Sequence, residues 1–288
     1  MPFQTKCLWA EFITTSSVQR LKDHVAATGA NMLCLRTETP CFEDLLTFMK
    51  GKGIKVYGWR WPDARPANGD PHDPGYALNE MASVVSLIGK GLDGYIFDIE
   101  TNENGLSNDW GSKGPANRAT VAQQMVAGIV NAFNQRGTPY VLGFTGHQRA
   151  FTNYPDVPYK PFLDYCNAIF PQTYWRVDDG RHGVKKCDMA SYDYSVHPPR
   201  PIGTVDQAMS NGFTDYANKI DRNGNVLPII PIGGEIGCTK HGEMTRFGQL
   251  VTQRGLNEIH FYVDVDHPGW INTAQPSDPS VLAEIMAL

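Results

Sequence analysis

Short apolar runs alternate with longer amphipathic segments along the whole chain. The apolar runs have the length of strands and are rich in β-branched and aromatic residues; they lie at 6–12, 31–36, 54–59, 95–100, 140–145, 168–174, 226–232 and 258–263. The segments between them repeat apolar residues every three or four positions, as one face of a helix does. Strands that alternate with helices in this way predict an α/β fold with a parallel sheet.

Three of the intervening segments show helical spacing clearly. Val18 and Leu21 follow Ser17, which we predict as the N-cap of the first helix. Pro115 is predicted to open a long helix, because proline is favoured in the first helical turn. Residues 239–254 carry a third apolar stripe and predict another helix.

The connections between these elements differ in length according to their direction. Connections from a helix into the next strand are short, such as 29–30 and 137–139, whereas the long segments 60–78, 101–114 and 175–202 follow strands. Barrel enzymes build their sites from the loops that follow strands, at one end of the barrel. The asymmetry therefore predicts a (β/α)₈ barrel with an elaborated carboxyl end.

The length of 288 residues suits one such barrel, and no linker or low-complexity stretch divides the chain. We therefore predict a single TIM-barrel domain over residues 1–288. The rival fold is an open doubly wound sheet, which usually carries a GxGxxG fingerprint. The sequence has none.

Two acids end the fourth apolar run. Because side chains in a strand alternate faces, Ile96, Asp98 and Glu100 should point into the barrel, and Tyr95 and Phe97 outward. Carboxylates at the carboxyl end of a barrel strand can divide acid and base work when their environments separate their pKa values. Glu100, nearer the mouth, is the predicted general acid, and Asp98 is predicted to stay ionised. The alternative is a structural pair held by arginine or backbone donors.

Residues 92–100, LDGYIFDIE, resemble the DGxDxDxE signature of family 18 glycoside hydrolases, the chitinases and their relatives. Asp93, Gly94, Asp98 and Glu100 match it, and Ile96 stands where that family has its first inner Asp. Residues 171–174, PQTY, are similar to the family's Gln-x-Tyr element. The resemblance implies that Glu100 is the acid, that Asp98 orients the substrate acetamido group as internal nucleophile, and that Tyr174 holds the N-acetyl group beside Gln172.

The chain also resembles family 25 lysozymes, which are barrels with a strand-borne Asp-x-Glu and need no acid at position 96. Residues 35–39, which include Glu38, are loosely similar to that family's second strand end. Residues 262–266, which include Tyr262 and Asp264, are loosely similar to its last strand. Those lysozymes also use an Asp on the first strand, where this chain has only Glu11 nearby.

Aromatic residues at the strand ends suit a carbohydrate site, because sugar rings stack on aromatic faces. Trp59, Trp61, Trp110, Tyr174, Trp175 and Tyr262 are expected to converge on the barrel mouth. The alternative for each is core packing, where most large aromatics lie. We predict Trp59, Trp61, Trp175 and Tyr262 as substrate-binding residues, together with Gln172, Asp264 and Glu38.

Other chemistry has weaker candidates. His147 after the fifth strand either contacts substrate or is a solvated loop residue. Residues 233–237 after the seventh strand form either a tight backbone approach to ligand or a plain turn. No histidine pair has HxxxH or HxH spacing, so no metal and no cofactor is predicted; Asp264, Asp266 and His267 form the best metal alternative. The sequence has no GxSxG, no Walker motif and no strand-end Lys placed for a Schiff base.

Composition and charge limit the kinds of partner that the protein is expected to bind. The net charge of −5 and the absence of a Lys/Arg stripe argue against a nucleic-acid partner. The sequence has no run of ~18 apolar residues, so no membrane span is predicted. The six cysteines form no CxxC pair; Cys7, Cys34 and Cys166 lie in or beside apolar runs and are expected as buried free thiols. The N-terminus lacks a classical signal pattern, so we expect a protein that stays inside the cell, is exported without a classical signal, or has had a leader removed.

These features together predict a glycoside hydrolase that cleaves a β-1,4 linkage in an N-acetylhexosamine polymer. Peptidoglycan is the first choice of substrate, in the manner of a muramidase. A chitinase or endo-N-acetylglucosaminidase of family 18 type is the alternative. The alternative from a different functional class is a barrel that binds carbohydrate without cleaving it. Ile96 motivates this alternative, because it replaces one acid of the charged trio.

Overall fold

A computed structural model of the protein describes residues 2–11, 13–65, 75–101, 110–112, 114–175, 191–193, 200–264 and 279–288. Its strands are β1 (Thr5–Glu11), β2 (Met32–Arg36), β3 (Lys55–Arg60), β4 (Gly94–Asp98), β5 (Val141–His147), β6 (Ala168–Gln172), β7 (Ser191–Asp193), β8 (Arg200–Ile202), β9 (Ile232–Glu235) and β10 (Glu258–Asp264). Its α-helices are α1 (Val18–Thr28), α2 (Phe42–Gly51), α3 (Gly75–Gly89), α4 (Arg118–Arg136), α5 (Ala150–Asn153), α6 (Tyr159–Leu163), α7 (Val205–Asp215), α8 (Glu243–Gln253) and α9 (Pro279–Ala287), and a 3₁₀ turn covers Ile236–Cys238.

Eight strands form a closed barrel in the order β1-β10-β9-β6-β5-β4-β3-β2. The described pairings within the barrel are parallel. Strands β7 and β8 form a separate antiparallel pair. The predicted (β/α)₈ fold is therefore confirmed.

The chain divides into two compact units. The first contains Met1–Val56, Pro171–Thr214 and Ile230–Leu288, and the second contains Tyr57–Phe170 and Asp215–Ile229. β1, β2, β9 and β10 belong to the first unit, whereas β4 and β5 belong to the second.

Strand β4 has the alternating faces that its sequence predicts. The Tyr95 hydroxyl donates to Glu80 Oε1 of α3 at 2.9 Å, and the Phe97 ring lies 5.3 Å from Phe162 of α6. Both side chains thus face the helices. Ile96 and Asp98, on the opposite face of the strand, point into the barrel.

The helices begin close to the predicted positions, but their caps differ. Helix α1 follows Ser17, yet the Ser17 hydroxyl makes no capping bond to the helix; it accepts from Thr14 N–H at 2.9 Å instead. Helix α4 begins at Arg118, whose N–H donates to the Pro115 carbonyl at 3.1 Å. Proline therefore lies in a turn before the helix rather than inside its first turn.

The seventh strand of the barrel lies later in the chain than the sequence pattern predicts. Within the run 226–232 only Ile232 belongs to a strand, and the residues before it form isolated bridges, Ile169 with Ile229 and Ile220 with Val226. Pro228 and Pro231 lack the N–H that a ladder requires, which explains why the run is not a strand. The strand is β9, so residues 233–235, predicted as part of a turn, belong to it.

The cysteines largely follow expectation. Cys7, Cys34 and Cys166 are free and buried, as predicted. Cys238, in contrast, is disulfide-bonded. Within the described part of the chain, no helix is both long enough and apolar enough to cross a bilayer.

Candidate active site

Asp98 and Glu100 lie where β4 ends, in the second unit. Asp98 is the last residue of the strand, stands opposite Thr145 of β5 and has 3% of its surface exposed. The strand stops two residues earlier than predicted, so Glu100 follows it and is half-buried. The Ile99 N–H still donates to the Thr145 carbonyl at 3.2 Å, which keeps this segment beside β5. A buried acid thus ends β4, and a half-buried acid follows it two residues later.

Tyr216, which sequence reasoning missed, lies behind this pair. Its hydroxyl is 3.0 Å from the carbonyl oxygens of both Gly146 and His147, at the end of β5. Burial raises the pKa of Tyr216 well above its ordinary value, and Asp98 and Glu100 are among the neighbours that raise it further. The phenol therefore stays protonated and donates. No local pattern marks this residue, because its partners lie about 70 residues away in the chain.

Ile96 lies one inward position below Asp98 and is fully buried. It stands opposite Gly143 of β5, and a Cβ at Gly143 would be 2.4 Å from the Phe170 ring and 3.3 Å from the Ile96 side chain. Phe170 therefore fills the space that Gly143 leaves open, beside Ile96. The place of family 18's first inner Asp is here part of an apolar layer.

The tryptophans of the second unit divide between two environments. Trp59 of β3 is buried, and its ring centroid lies 5.6 Å from that of Trp61, which is partly exposed. Trp110 donates its indole N–H to the Pro62 carbonyl at 2.7 Å and packs edge-on against Phe162. Trp110 is thus a core residue, whereas Trp61 keeps a surface that a ligand can reach.

The first unit carries its own cluster at the carboxyl ends of β1, β2 and β10. Glu11 is hydrogen-bonded by the Tyr262 hydroxyl, and an Arg36 nitrogen lies 3.4 Å from its other oxygen. Arg36 also pairs with Glu38. The Tyr174 ring lies 5.4 Å from the Tyr262 ring. The structure thus brings together three predicted residues, Glu38, Tyr174 and Tyr262, around Glu11.

Two further predicted residues of this unit lie at strand ends. Gln172 ends β6, stands opposite Ile232 of β9 and is partly exposed. Asp264 ends β10 opposite Glu11.

Trp175 does not lie at a ligand-accessible position, contrary to its prediction. It has 1% of its surface exposed, and its indole N–H donates to Glu243 of α8 at 3.1 Å. Its ring lies 5.4 Å from Phe247 and covers Gly234, where a Cβ would be 3.2 Å away. Glu243 and Phe247 are both on α8, so the ring packs between strand and helix and presents no open face to a sugar.

Among the residues that the structure describes, no three His, Cys, Asp or Glu side chains lie close enough together to hold a metal ion. Asp266 and His267, named as the best metal alternative, lie outside the described residues.

No family model and no curated protein matches the sequence. Solved structures do match its fold. A family 2 β-galacturonidase from Eisenbergiella tayi has a TM-score of 0.53 at 11% identity; the match covers 96% of this chain and 48% of that one. Concanavalin B has a TM-score of 0.52 at 12% identity, with 98% of each chain covered. The catalytic domain of a hyperthermophilic chitinase from Pyrococcus furiosus has a TM-score of 0.51 at 12% identity, with 100% of this chain and 95% of that one covered.

This chain has the same barrel fold as these proteins. The galacturonidase and the chitinase are glycoside hydrolases, and both share the barrel. At 11–12% identity the likeness concerns the fold alone. Function must therefore be argued from the residues of the site.

Proposed function

We propose that the protein is a glycoside hydrolase that cleaves a β-1,4 linkage in an N-acetylhexosamine polymer. One observation carries the proposal: buried Asp98 and half-buried Glu100 follow one another at the carboxyl end of β4 in a closed barrel. Barrel enzymes place their catalytic groups at this end.

The two acids suit different roles because their exposure differs. Asp98 is buried at the end of β4 opposite Thr145, so packing restricts the positions that its carboxylate can take. Glu100 is more exposed and can reach a bound sugar. Proton transfer needs a group within hydrogen-bond reach of the glycosidic oxygen, which favours Glu100 as the acid.

The proposed reaction uses the substrate's own acetamido group, as the resemblance to family 18 implies. The acetamido oxygen, oriented by Asp98, attacks the anomeric carbon while the bond from that carbon to the glycosidic oxygen breaks. Glu100 gives its proton to the departing oxygen. Water then attacks the same carbon, Glu100 takes a proton from it, and the acetamido group is released. The N-acetyl group is therefore a requirement of the proposed substrate.

Glu100→Gln tests the proposal. The amide has nearly the same shape but supplies no acid, so turnover should fall by about 10³-fold or more, at the upper part of the range for acid–base groups, with little change in thermal stability. Asp98→Asn should lower the rate and shift the pH profile. Unchanged turnover in Glu100→Gln would defeat the proposal.

The protein is tested on two substrates, peptidoglycan and chitin oligomers, and the products are identified by mass spectrometry. A reducing N-acetylmuramic acid end indicates a muramidase, the narrower assignment that the lysozyme-like segments favour. A reducing N-acetylglucosamine end indicates a chitinase or glucosaminidase, which the Gln172 and Tyr174 element favours.

A second candidate function is carbohydrate binding without cleavage. The observation that favours it is the apolar layer at Ile96, which removes an acid from below Asp98. Binding of glycan with no release of reducing ends by the wild-type protein would decide for it.

A further inference from the structure

A groove in the second unit lies between helix α4 and the segment 157–165. Its volume is about 740 Å³, within the range of small-molecule sites. One wall is formed by three exposed residues of α4 that are four positions apart, Ala119, Gln123 and Ala127. Residues four apart share one face of a helix, so the two alanines leave room on either side of the Gln123 side chain.

Contacts outside the groove hold its opposite wall in place. The Tyr159 hydroxyl lies 2.7 and 3.0 Å from the carbonyl oxygens of Ala150 and Tyr154. The Arg222 guanidinium lies 4.6 Å from the centroid of the Tyr165 ring. These contacts restrict the two tyrosine side chains before anything binds. A wall that is already ordered loses little conformational freedom on binding.

The groove has polar side chains that a ligand can reach. The Gln123 side chain is exposed and has no hydrogen-bond partner among the described residues, so its amide can both donate and accept. The Lys160 ammonium lies 2.6 and 2.9 Å from the two carboxylate oxygens of Asp164, and these side chains are 80% and 23% exposed. The two charges cancel, so the lining residues of the groove carry no net charge.

This combination of surfaces suits a neutral sugar. The C–H faces of a pyranose ring and the methyl of an acetamido group can pack on apolar side chains, which Pro158, Pro161 and the α4 alanines provide. Sugar hydroxyls donate and accept, as the Gln123 amide does. An ionic ligand would find no unpaired charge of opposite sign among the lining residues, because Lys160 and Asp164 neutralise each other.

We infer that the groove is a second glycan-binding site, which holds part of a neutral N-acetylhexosamine chain. The choice of glycan rests on the proposed function, because that function supplies the polymer. Neither Asp98 nor Glu100 is among the described residues that line the groove, so it binds without cleaving. A chain held at two places dissociates more slowly than a chain held at one.

Two substitutions with matched controls test the groove. Gln123→Ala removes the amide, and Ala127→Trp fills the space beside it. Gln124→Ala and Gln124→Trp introduce the same side chains at a neighbouring exposed residue of α4 that does not line the groove. Each substitution is made in the full chain carrying Glu100→Gln, which keeps the glycan intact, and the proteins are titrated calorimetrically with a soluble N-acetylglucosamine oligomer.

The groove variants should bind the oligomer more weakly than their parent. Gln123→Ala should raise the Kd of the groove about fivefold, the effect of one lost hydrogen bond. Ala127→Trp should raise it about tenfold or more, because the indole occupies the space of the sugar. Both Gln124 variants should bind as the parent does. A photoreactive form of the oligomer should crosslink to residues 119–127 or 157–165, as identified by peptide mass spectrometry.

The contrary results are distinct from one another. Crosslinks confined to the carboxyl end of β4, with unaltered binding in both groove variants, overturn the groove assignment and leave the proposed function standing. Loss of a dimer in Ala127→Trp, with unaltered glycan binding, shows that a second copy of this chain occupies the groove and also overturns the assignment. Groove crosslinks in a protein that cleaves no N-acetylhexosamine glycan when Glu100 is present support the assignment and overturn the proposed function.

Discussion

Residue 96 shows how one side chain changes the environment of the acid above it. Ile96, Gly143 and Phe170 together form an apolar layer under Asp98. The carboxylate of an aspartate at residue 96 would contact the Phe170 ring, although it needs water or hydrogen-bond donors. Asp98 therefore has no acidic neighbour at the inward position below it, and the proposed chemistry must work with the acids at the mouth.

Ile96→Asp should lower the free energy of unfolding by about 3 kcal/mol or more, because it buries a carboxyl group among apolar atoms. Urea denaturation measures the change. Ile96→Val is the matched control and should cost about 1 kcal/mol, the effect of one lost methylene. Near wild-type stability together with raised turnover in Ile96→Asp would show that the site accepts the missing acid.

The alternation of side chains between the two faces of a strand predicted that Asp98 and Ile96 point inward, because this alternation depends only on the local sequence. Whether each tryptophan is buried or exposed could not be predicted in the same way. Trp175 and Trp110 stand near strand ends, as ligand-binding aromatics do. Whether such a ring faces solvent or a helix depends on partners far along the chain, here Phe247 and Phe162.

Strand β9 shows why the elements were predicted unevenly. Seven of the eight predicted strands overlap a barrel strand along most of their length, because apolar runs of strand length are local signals. In the remaining run, the prolines at 228 and 231 remove two donors, and the ladder forms instead over a glycine pair that reads as a turn. These glycines belong to a strand because bulky rings pack against them.

Gly233→Ala tests that explanation. A Cβ at residue 233 would lie 2.7 Å from the Phe247 ring of α8, so we expect a loss of about 1–3 kcal/mol from overpacking. In a Phe247→Leu background the same substitution should cost at least about 0.5 kcal/mol less, because the obstructing ring is gone. Thermal or urea denaturation of the four proteins completes the cycle.

Gly51→Ala is the control, since nothing lies within 4 Å of a Cβ there. It should leave stability unchanged or raise it by up to about 1 kcal/mol. Equal costs of Gly233→Ala in both backgrounds would mean that the Phe247 ring does not explain the glycine.

Closure of the barrel depends on the last strand. β10 pairs with β1 over seven residues, from Thr5 opposite Glu258 to Glu11 opposite Asp264, and with β9 on its other side. Helix α9 then covers β1: the Lys6 ammonium donates to the carbonyls of Ile285 and Met286 at 2.9 and 2.8 Å. A cation at the carboxyl end of a helix satisfies carbonyls that have no partner within the helix.

Two truncations separate these contributions. A chain that ends at residue 257 lacks β10, so β1 and β9 become open edges, and unpaired edges recruit other chains. We expect this protein to aggregate and to show no cooperative unfolding. A chain that ends at residue 278 keeps β10 and loses only α9. It should remain folded, in the same oligomeric state as the full chain and with a lower melting temperature, because Lys6 loses its carbonyl partners. Light scattering after size exclusion, with thermal denaturation, measures both outcomes. If the chain of residues 1–257 does not aggregate and unfolds cooperatively, β1 does not need its pairing with β10 for a stable fold.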